Sequence, residues 1–195
     1  MSLLGIFKKH KIAVEEQIAN LKQLGIALKP EFSSEELFRH HSREELESKP
    51  YLMVLFVLGG TIEEEPWTDL SDDIWHFDVE CIEDHGDYAR IVRRLAELAR
   101  RDLRISDIHD HVDVDADKAH IAFVLNGTKH EWDLKVNNDW VDEGFISKFV
   151  AAAALHSPKR YFAMEDGQAM LVVYKTKEEV SALEHLTILK FDELR

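Results

Sequence analysis

A stretch of fifteen residues, SDIHDHVDVDADKAH (106–120), holds three histidines and five aspartates. Imidazole and carboxylate groups bind divalent metal ions and also transfer protons, so this composition suits a metal centre or an acid–base site. His109 and His111 stand two residues apart and would share one face of a strand, with Asp113 next in the same row. In this hypothesis the three residues hold a zinc-type ion that serves a metal-dependent hydrolase.

The sequence lacks the established metal-binding patterns. No H-E-x-x-H motif is present. A calcium loop starting at residue 113 would fail at its sixth position, which is Lys118 rather than glycine, and at its twelfth, which is Val124 rather than glutamate. We therefore interpret the stretch as an acidic connection leading into the next strand, with Val112, Val114 and Ala116 packed inward.

Motifs for covalent catalysis and for phosphate binding are also missing. There is no G-x-S-x-G elbow, and LGGT (58–61) lacks the spacing of a phosphate-binding loop. Cys81 is the only cysteine, so neither an intramolecular disulfide nor a thiolate zinc cluster can form, which is typical of a reducing cytoplasm. We predict no catalytic residues and no cofactor, apart from the divalent metal of the alternative hypothesis.

The charge balance restricts the class of partner. Lysine and arginine number 24 against 38 aspartates and glutamates, which leaves a net charge of −14. Nucleic acids and anionic membranes repel such a protein. No apolar stretch is long enough to span a membrane. A basic protein is therefore the favoured partner.

The acids are concentrated in one block. Between Lys49 and Arg90 the chain has no lysine or arginine but eleven acidic residues, with Trp67 among them. Repulsion within an unopposed block destabilises the free protein, and a tryptophan is a common interface anchor, so we predict a recognition surface here. The predicted partner-binding residues are Glu63, Glu64, Glu65, Trp67, Asp69, Asp72, Asp73, Glu83, Asp84 and Asp87.

The hydrophobic pattern predicts an α+β fold with a mainly antiparallel sheet built from hairpins and with helices packed on it. WHFDVEC (75–81) alternates as a half-buried strand. Asn126-Gly127 supplies a two-residue turn for a hairpin over 119–136, in which Ile121 faces Trp132. Further along the chain, the pattern predicts a helix from about Asp139, then a hairpin that turns near 166–167. It also predicts a helix that begins at 176 and a last strand at ILKF (188–191).

The first part of the chain has a different pattern. Residues 1–60 are predicted to form an N-terminal helical segment that packs on an α+β domain at 61–195, the two making one continuous domain. PYLMVLFVLGG (50–60) is compatible with a buried strand or a leucine-rich helix, and we favour the helix because proline suits its first turn and glycine its end.

Three stretches, WHFDVECIEDHGDY, NNDWVDEGF and DGQAMLVVY, resemble in their spread the small acidic immunity-type proteins of bacterial toxin systems. The resemblance spans about residues 74–191, and the class shares no motif from which individual residues can be carried over. It implies a cytoplasmic inhibitor that covers the basic surface of a toxin or nuclease domain without performing chemistry. The metal-dependent hydrolase, and a structural or regulatory domain without a dedicated site, remain open alternatives.

Overall fold

A computed structural model describes residues 11–62, 64 and 67–195 of the 195-residue chain. The helices of this part are α1 (Val14–Gln23), α2 (Arg43–Ser48), α3 (Leu52–Gly59), α4 (Asp87–Leu98), α5 (Glu143–Ala153) and α6 (Lys177–Thr187), with a 3-10 helix at Ser34–Phe38. Its strands are β1 (Thr61–Ile62), β2 (Thr68–Asp69), β3 (Ile74–Asp78), β4 (Ile105–Asp113), β5 (Lys118–Leu125), β6 (Thr128–Leu134), β7 (Arg160–Asp166), β8 (Ala169–Lys175) and β9 (Asp192–Glu193).

All strand pairs are antiparallel, which confirms the predicted α+β class. The strands form a four-stranded sheet in the order β3-β8-β7-β9, a three-stranded sheet in the order β4-β5-β6, and the two-residue pair β1-β2. The closing strand lies at 192–193, so the prediction of a strand at 188–191 is displaced. No helix among the described residues is long and apolar enough to cross a membrane.

The hairpin at Asn126-Gly127 has the predicted register. Both turn residues have positive φ, 47° and 85°, as a tight two-residue turn requires. Ile121 lies opposite Trp132, and the pairing continues without a shift from the turn to Ala119 and Leu134. The apolar side chains of β5 therefore all face one core.

We had predicted that the stretch 106–120 is a connection between elements. In the structure it forms most of a hairpin. Residues 105–113 form β4, and the chain turns over 114–117 into β5. Val112 is buried as expected, but Val114 is 40% exposed and Ala116 is exposed as well, so both predictions were wrong. The reason is local: the Asp113 carboxylate accepts a hydrogen bond from the Ala116 N–H, which closes the turn and places these two residues at its tip.

The four-stranded sheet is buried on both faces, whereas the alternation over 75–81 had predicted one buried face. Phe77 belongs to a core that includes Phe123 and α4. Ile74, on the other face, belongs to a second core. That second core is formed with the N-terminal helices, because Leu21 and Leu55 pack against the same sheet face. The inner strand β8 is buried on both faces and does not alternate, whereas the edge strand β3 keeps exposed side chains at His76 and Asp78.

Residues 52–59 form a helix, which confirms the interpretation that we favoured. It begins two residues after Pro50, at Leu52, because Tyr51 adopts a positive φ of 64°. Gly59 ends the helix against β3: a Cβ atom there would lie 2.6 Å from the His76 amide nitrogen. The glycine therefore permits close packing of α3 on the sheet.

Candidate functional site

Cations from distant parts of the chain neutralise the first half of the acidic block. The Asp69 carboxylate lies 3.3 Å from Arg94 Nε and accepts a hydrogen bond of 2.7 Å from the Thr61 hydroxyl. Arg94 is buried, and its Nη2 donates to the carbonyl oxygens of Ser71 and Ile74. Arg94 thus holds the connection between β2 and β3 against α4.

Asp72 and Asp73 are neutralised in the same way. Lys29 Nζ lies 3.2 Å from Asp72 Oδ1, and Arg100 Nη2 donates to Asp73 Oδ1 at 3.1 Å. Asp73 also accepts from the Ala27 N–H at 3.2 Å. These carboxylates connect the N-terminal helical segment to the end of α4. Their negative charge is therefore largely balanced by cations of the same chain.

The loop before β2 carries the exposed aromatic that we singled out. Trp67 is 56% exposed, and Glu64 forms an exposed ion pair of 3.3 Å with Arg39. Glu63 and Glu65, the two other predicted residues of this loop, lie outside the described residues. The role of this loop in partner binding stays a prediction.

The last three residues of the predicted surface lie at the start of α4. Asp87 Oδ2 accepts hydrogen bonds from the backbone N–H groups of Glu83 and Asp84, at 2.8 and 2.9 Å, and so closes the turn that precedes the helix. The Asp84 carboxylate lies 3.1 Å from His85 Nδ1. Of the three, Glu83 and Asp84 remain oriented to solvent.

The metal hypothesis depended on one row of side chains on β4. His109, His111 and Asp113 do share the outer face of the three-stranded sheet, opposite Ala122, His120 and Lys118 respectively. Within the described residues, however, no three histidine, cysteine, aspartate or glutamate side chains are grouped closely enough to hold a metal ion. The row is therefore not assembled into a ligand set in this structure.

Asp110, on the other face of β4, has a structural role. Its two carboxylate oxygens accept hydrogen bonds from the N–H groups of Gly86, at 2.8 Å, and Ala89, at 3.1 Å. Gly86 is the N-cap residue of α4 and has no side chain to do this. A carboxylate from a neighbouring strand therefore caps the helix and lies at the positive end of its dipole.

The single cysteine is not an activated nucleophile. Burial raises the pKa of the Cys81 thiol to about 11, because the charged thiolate loses solvation. The group is therefore a thiol at neutral pH, and a thiolate is the reactive form.

An acidic surface that the sequence did not indicate surrounds Trp140. We had predicted a helix from Asp139, but α5 begins at Glu143, with Asp142 as its N-cap. The residues before it run along the end of β3 instead: the Val141 N–H donates to the Val79 carbonyl at 2.9 Å, and the Ile82 N–H donates to the Asp139 carbonyl at 2.9 Å. This backbone pairing holds Trp140 in place while its side chain stays 37% exposed.

Five acidic residues from three segments lie at this end of the four-stranded sheet, where Glu80 pairs with Trp140. Glu80 is bridged to Trp140 by backbone pairing and accepts a hydrogen bond of 2.9 Å from Gln168. Asp78 on β3 and Asp166 on β7 both pair with Ala169 of β8, the strand between them. We call the following set the Trp140 surface: Asp78, Glu80, Asp139, Trp140, Glu143 and Asp166.

The carboxylates of the Trp140 surface differ from those of the 64–73 region in having no internal cation. Among the described residues, no Lys, Arg or His lies within 4.0 Å of any of them. Sequence reasoning missed this set because its members come from residues 78–80, 139–143 and 166, and only strand pairing brings these together. The local signals were the acids within NNDWVDEGF and the presence of Asp78 and Glu80 in the acidic block.

A cleft of about 1070 Å³ adjoins the Trp140 surface. Its walls include apolar side chains, among them Val136, Ile146 and Met170, together with Trp140 and Glu143. Charged residues of both signs line the rest of the cleft, with Asp133, Asp142 and Glu165 beside Lys135, Lys148 and Arg195.

Comparisons with protein-family models, with curated proteins and with solved structures returned no match for this chain.

Proposed function

We propose that this protein is a non-catalytic, cytoplasmic protein-binding module for a basic partner, and that the Trp140 surface is its recognition site. One observation supports the proposal: a partly exposed tryptophan is held by backbone pairing beside Glu80, at an end of the sheet where five acidic residues form no ion pair within the part of the chain that the structure describes. Tryptophan is among the residue types that most often dominate binding energy at interfaces.

The physical argument is the cost of the unpaired charge. Like charges on neighbouring segments repel one another in the free protein, and a basic partner removes that repulsion. An arginine from the partner would also find the face of the Trp140 indole available, which adds a cation–π contact. Exposed carboxylates further attract a basic protein from a distance and so accelerate association at low salt.

The partner class follows from the same chemistry. An immunity-type inhibitor covers the basic surface of a toxin or nuclease domain, and its carboxylates then occupy the positions of nucleic-acid phosphates. The net charge of −14 supports such a role. Glu83 and Asp84 follow Glu80 in the chain and extend the acidic surface, while Trp67 is a second candidate anchor.

The test compares two charge reversals of equal size. The variant Glu80→Lys/Asp139→Lys alters the Trp140 surface, and Glu31→Lys/Asp115→Lys alters exposed acids elsewhere, so both change the net charge by the same amount. Partners are captured with the tagged protein from the lysate of its own organism at low salt, and association and dissociation rates are then measured for the basic protein that is recovered.

We expect the Glu80/Asp139 variant to associate about tenfold more slowly, and the Glu31/Asp115 variant to associate nearly as fast as wild type. Trp140→Ala should raise the dissociation rate by a factor corresponding to ~2 kcal/mol or more. The rate of association should fall as salt rises, since screening shortens the reach of exposed charge to about 8 Å at physiological ionic strength. Equal losses in the two reversals, or recovery of no basic protein, would contradict the proposal.

A further inference from the structure

A second cavity, of about 270 Å³, lies where the end of β8 meets the end of α4 and the first turn of α6. Four of its lining residues are basic, which is unusual in a chain with a net charge of −14. These are Arg100, Arg101, Lys159 and Lys175. The cavity lies at the opposite end of β8 from the Trp140 surface, and β8 spans roughly 20 Å.

Two lining residues are almost completely buried and still have unused donor capacity. Lys175 is 5% exposed, and its ammonium group donates to the carbonyls of Leu24 at 2.9 Å and Gly25 at 3.3 Å. Because an ammonium group has three N–H donors, one is left over. Tyr174 is 6% exposed, and its hydroxyl makes no hydrogen bond of ordinary geometry.

Two polar side chains, Ser157 and Asp102, lie close enough to that hydroxyl to affect its pKa, although neither forms a well-aligned hydrogen bond with it. The Ser157 hydroxyl donates to Asp102 Oδ2 at 3.0 Å. The hydroxyl of Tyr174 is therefore incompletely satisfied within the fold, and it can donate to a group bound in the cavity.

The carboxylates that line the cavity are already occupied. Asp73 accepts from Arg100, and Glu179 accepts from the Thr176 N–H at 2.8 Å in the capping box of α6. Lys159 has only a distant ion pair of 4.0 Å with Glu179. Arg101 has no ion pair among the described residues.

The groups with unused hydrogen-bonding capacity are therefore donors, and three of them belong to cations: Arg101, Lys159 and Lys175. We infer that this cavity binds a small organic oxyanion, a phosphorylated or carboxylated compound, through Arg101, Lys159, Lys175 and the Tyr174 hydroxyl. Hydrogen bonds between a cationic donor and an anionic acceptor are stronger than those between neutral groups. Burial lowers the pKa of Lys175, and a bound anion would oppose that effect by stabilising its charged form. The inference does not rest on the proposed protein-binding function.

Three probes test the site on the full chain: inorganic phosphate, glycerol phosphate and succinate. Each is titrated by calorimetry and by thermal shift at constant ionic strength, with sodium chloride as the reference salt. We expect saturable binding of at least one probe, beyond the effect of chloride. Comparing the affinity for the two phosphate probes with the affinity for succinate distinguishes a phosphoryl ligand from a carboxylate ligand.

Two variants locate the binding. Arg101→Ala/Lys159→Ala removes two cations from the cavity, and Arg93→Ala/Lys118→Ala removes two exposed cations elsewhere as the matched control. We expect the first pair to weaken binding about tenfold or more and the control to leave it unchanged. Tyr174→Phe removes a hydroxyl that forms no well-aligned hydrogen bond, so it should change the melting temperature little and should weaken binding about three- to tenfold.

The inference is overturned if none of the three probes stabilises the protein more than chloride does. It is also overturned if the control pair weakens binding as much as the cavity pair, or if neither the cavity pair nor Tyr174→Phe changes the affinity.

Discussion

At the scale of single residues, an aspartate in an acidic tract can have a role that its sequence neighbours do not suggest. Asp110 stands between His109 and His111, but it points to the opposite face of β4 and caps α4. Asp87 similarly closes the turn before the same helix. The start of α4 therefore depends on two carboxylates, only one of which is local in sequence.

Removing the cap should measurably destabilise the protein. Asp110→Ala leaves the Gly86 and Ala89 N–H groups without their acceptor, so we expect the free energy of unfolding to fall by ~1–2 kcal/mol in urea titrations. Asp115→Ala, in the exposed turn between β4 and β5, is the control and should change it by less than ~0.5 kcal/mol. Similar values for the two variants would show that the cap contributes nothing.

At the scale of elements, the hairpin of β5 and β6 is determined locally. The turn residues Asn126 and Gly127 both have positive φ, and the pairing that follows is uninterrupted. The Asn126 side chain adds a tertiary link, since its Oδ1 accepts from the Arg104 N–H at 2.8 Å and its Nδ2 donates to the Asp102 carbonyl at 3.1 Å. The turn thus sets the register and also attaches the hairpin to the segment that precedes β4.

The turn glycine can be tested without a steric complication. A Cβ atom at Gly127 meets no atom within 4 Å, so Gly127→Val tests backbone strain alone. We expect a loss of ~1–2 kcal/mol in the free energy of unfolding, because a β-branched residue resists a φ of 85°. Lys129→Val, two residues further along β6, should have a much smaller effect. A loss of less than a few tenths of a kcal/mol in the free energy of unfolding of Gly127→Val would contradict this account of the turn.

At the scale of the whole molecule, the four-stranded sheet is shared by two cores. One core holds α4, α5 and the three-stranded sheet, and the other holds the N-terminal helices together with α6. Residues 11–59 therefore cover a sheet face that would otherwise be apolar and exposed. The helices and the sheet are parts of one packed structure.

This arrangement predicts the behaviour of a truncated chain. A fragment of residues 61–195 would expose one face of the sheet, including Leu171, Val173 and Phe162. We expect it to lose the cooperative thermal transition of the full chain and to bind a hydrophobic dye, because the apolar surface left open promotes association or partial unfolding. A fragment that unfolds cooperatively and binds no dye would show that the second core is dispensable.

The sequence by itself determined the features that depend on near neighbours. Helix periods, capping boxes at 42–45 and 176–179, the Asn126-Gly127 turn and the antiparallel α+β class all follow from residues a few positions apart. Such patterns act through the local backbone, so they can be read without knowing the fold. The start of α5 was misplaced because the pairing of Val141 with Val79 overrode the local preference for a helix.

Only the tertiary structure decided which charges are free. Asp73 meets Arg100 across 27 positions and Asp69 meets Arg94 across 25, so the 69–73 part of a block that contains no cation in the sequence is neutralised in space. Glu80 and Trp140 are 60 positions apart and form one surface because two strand ends pair there. Electrostatic interaction depends on distance through space, and sequence separation carries little information about that distance.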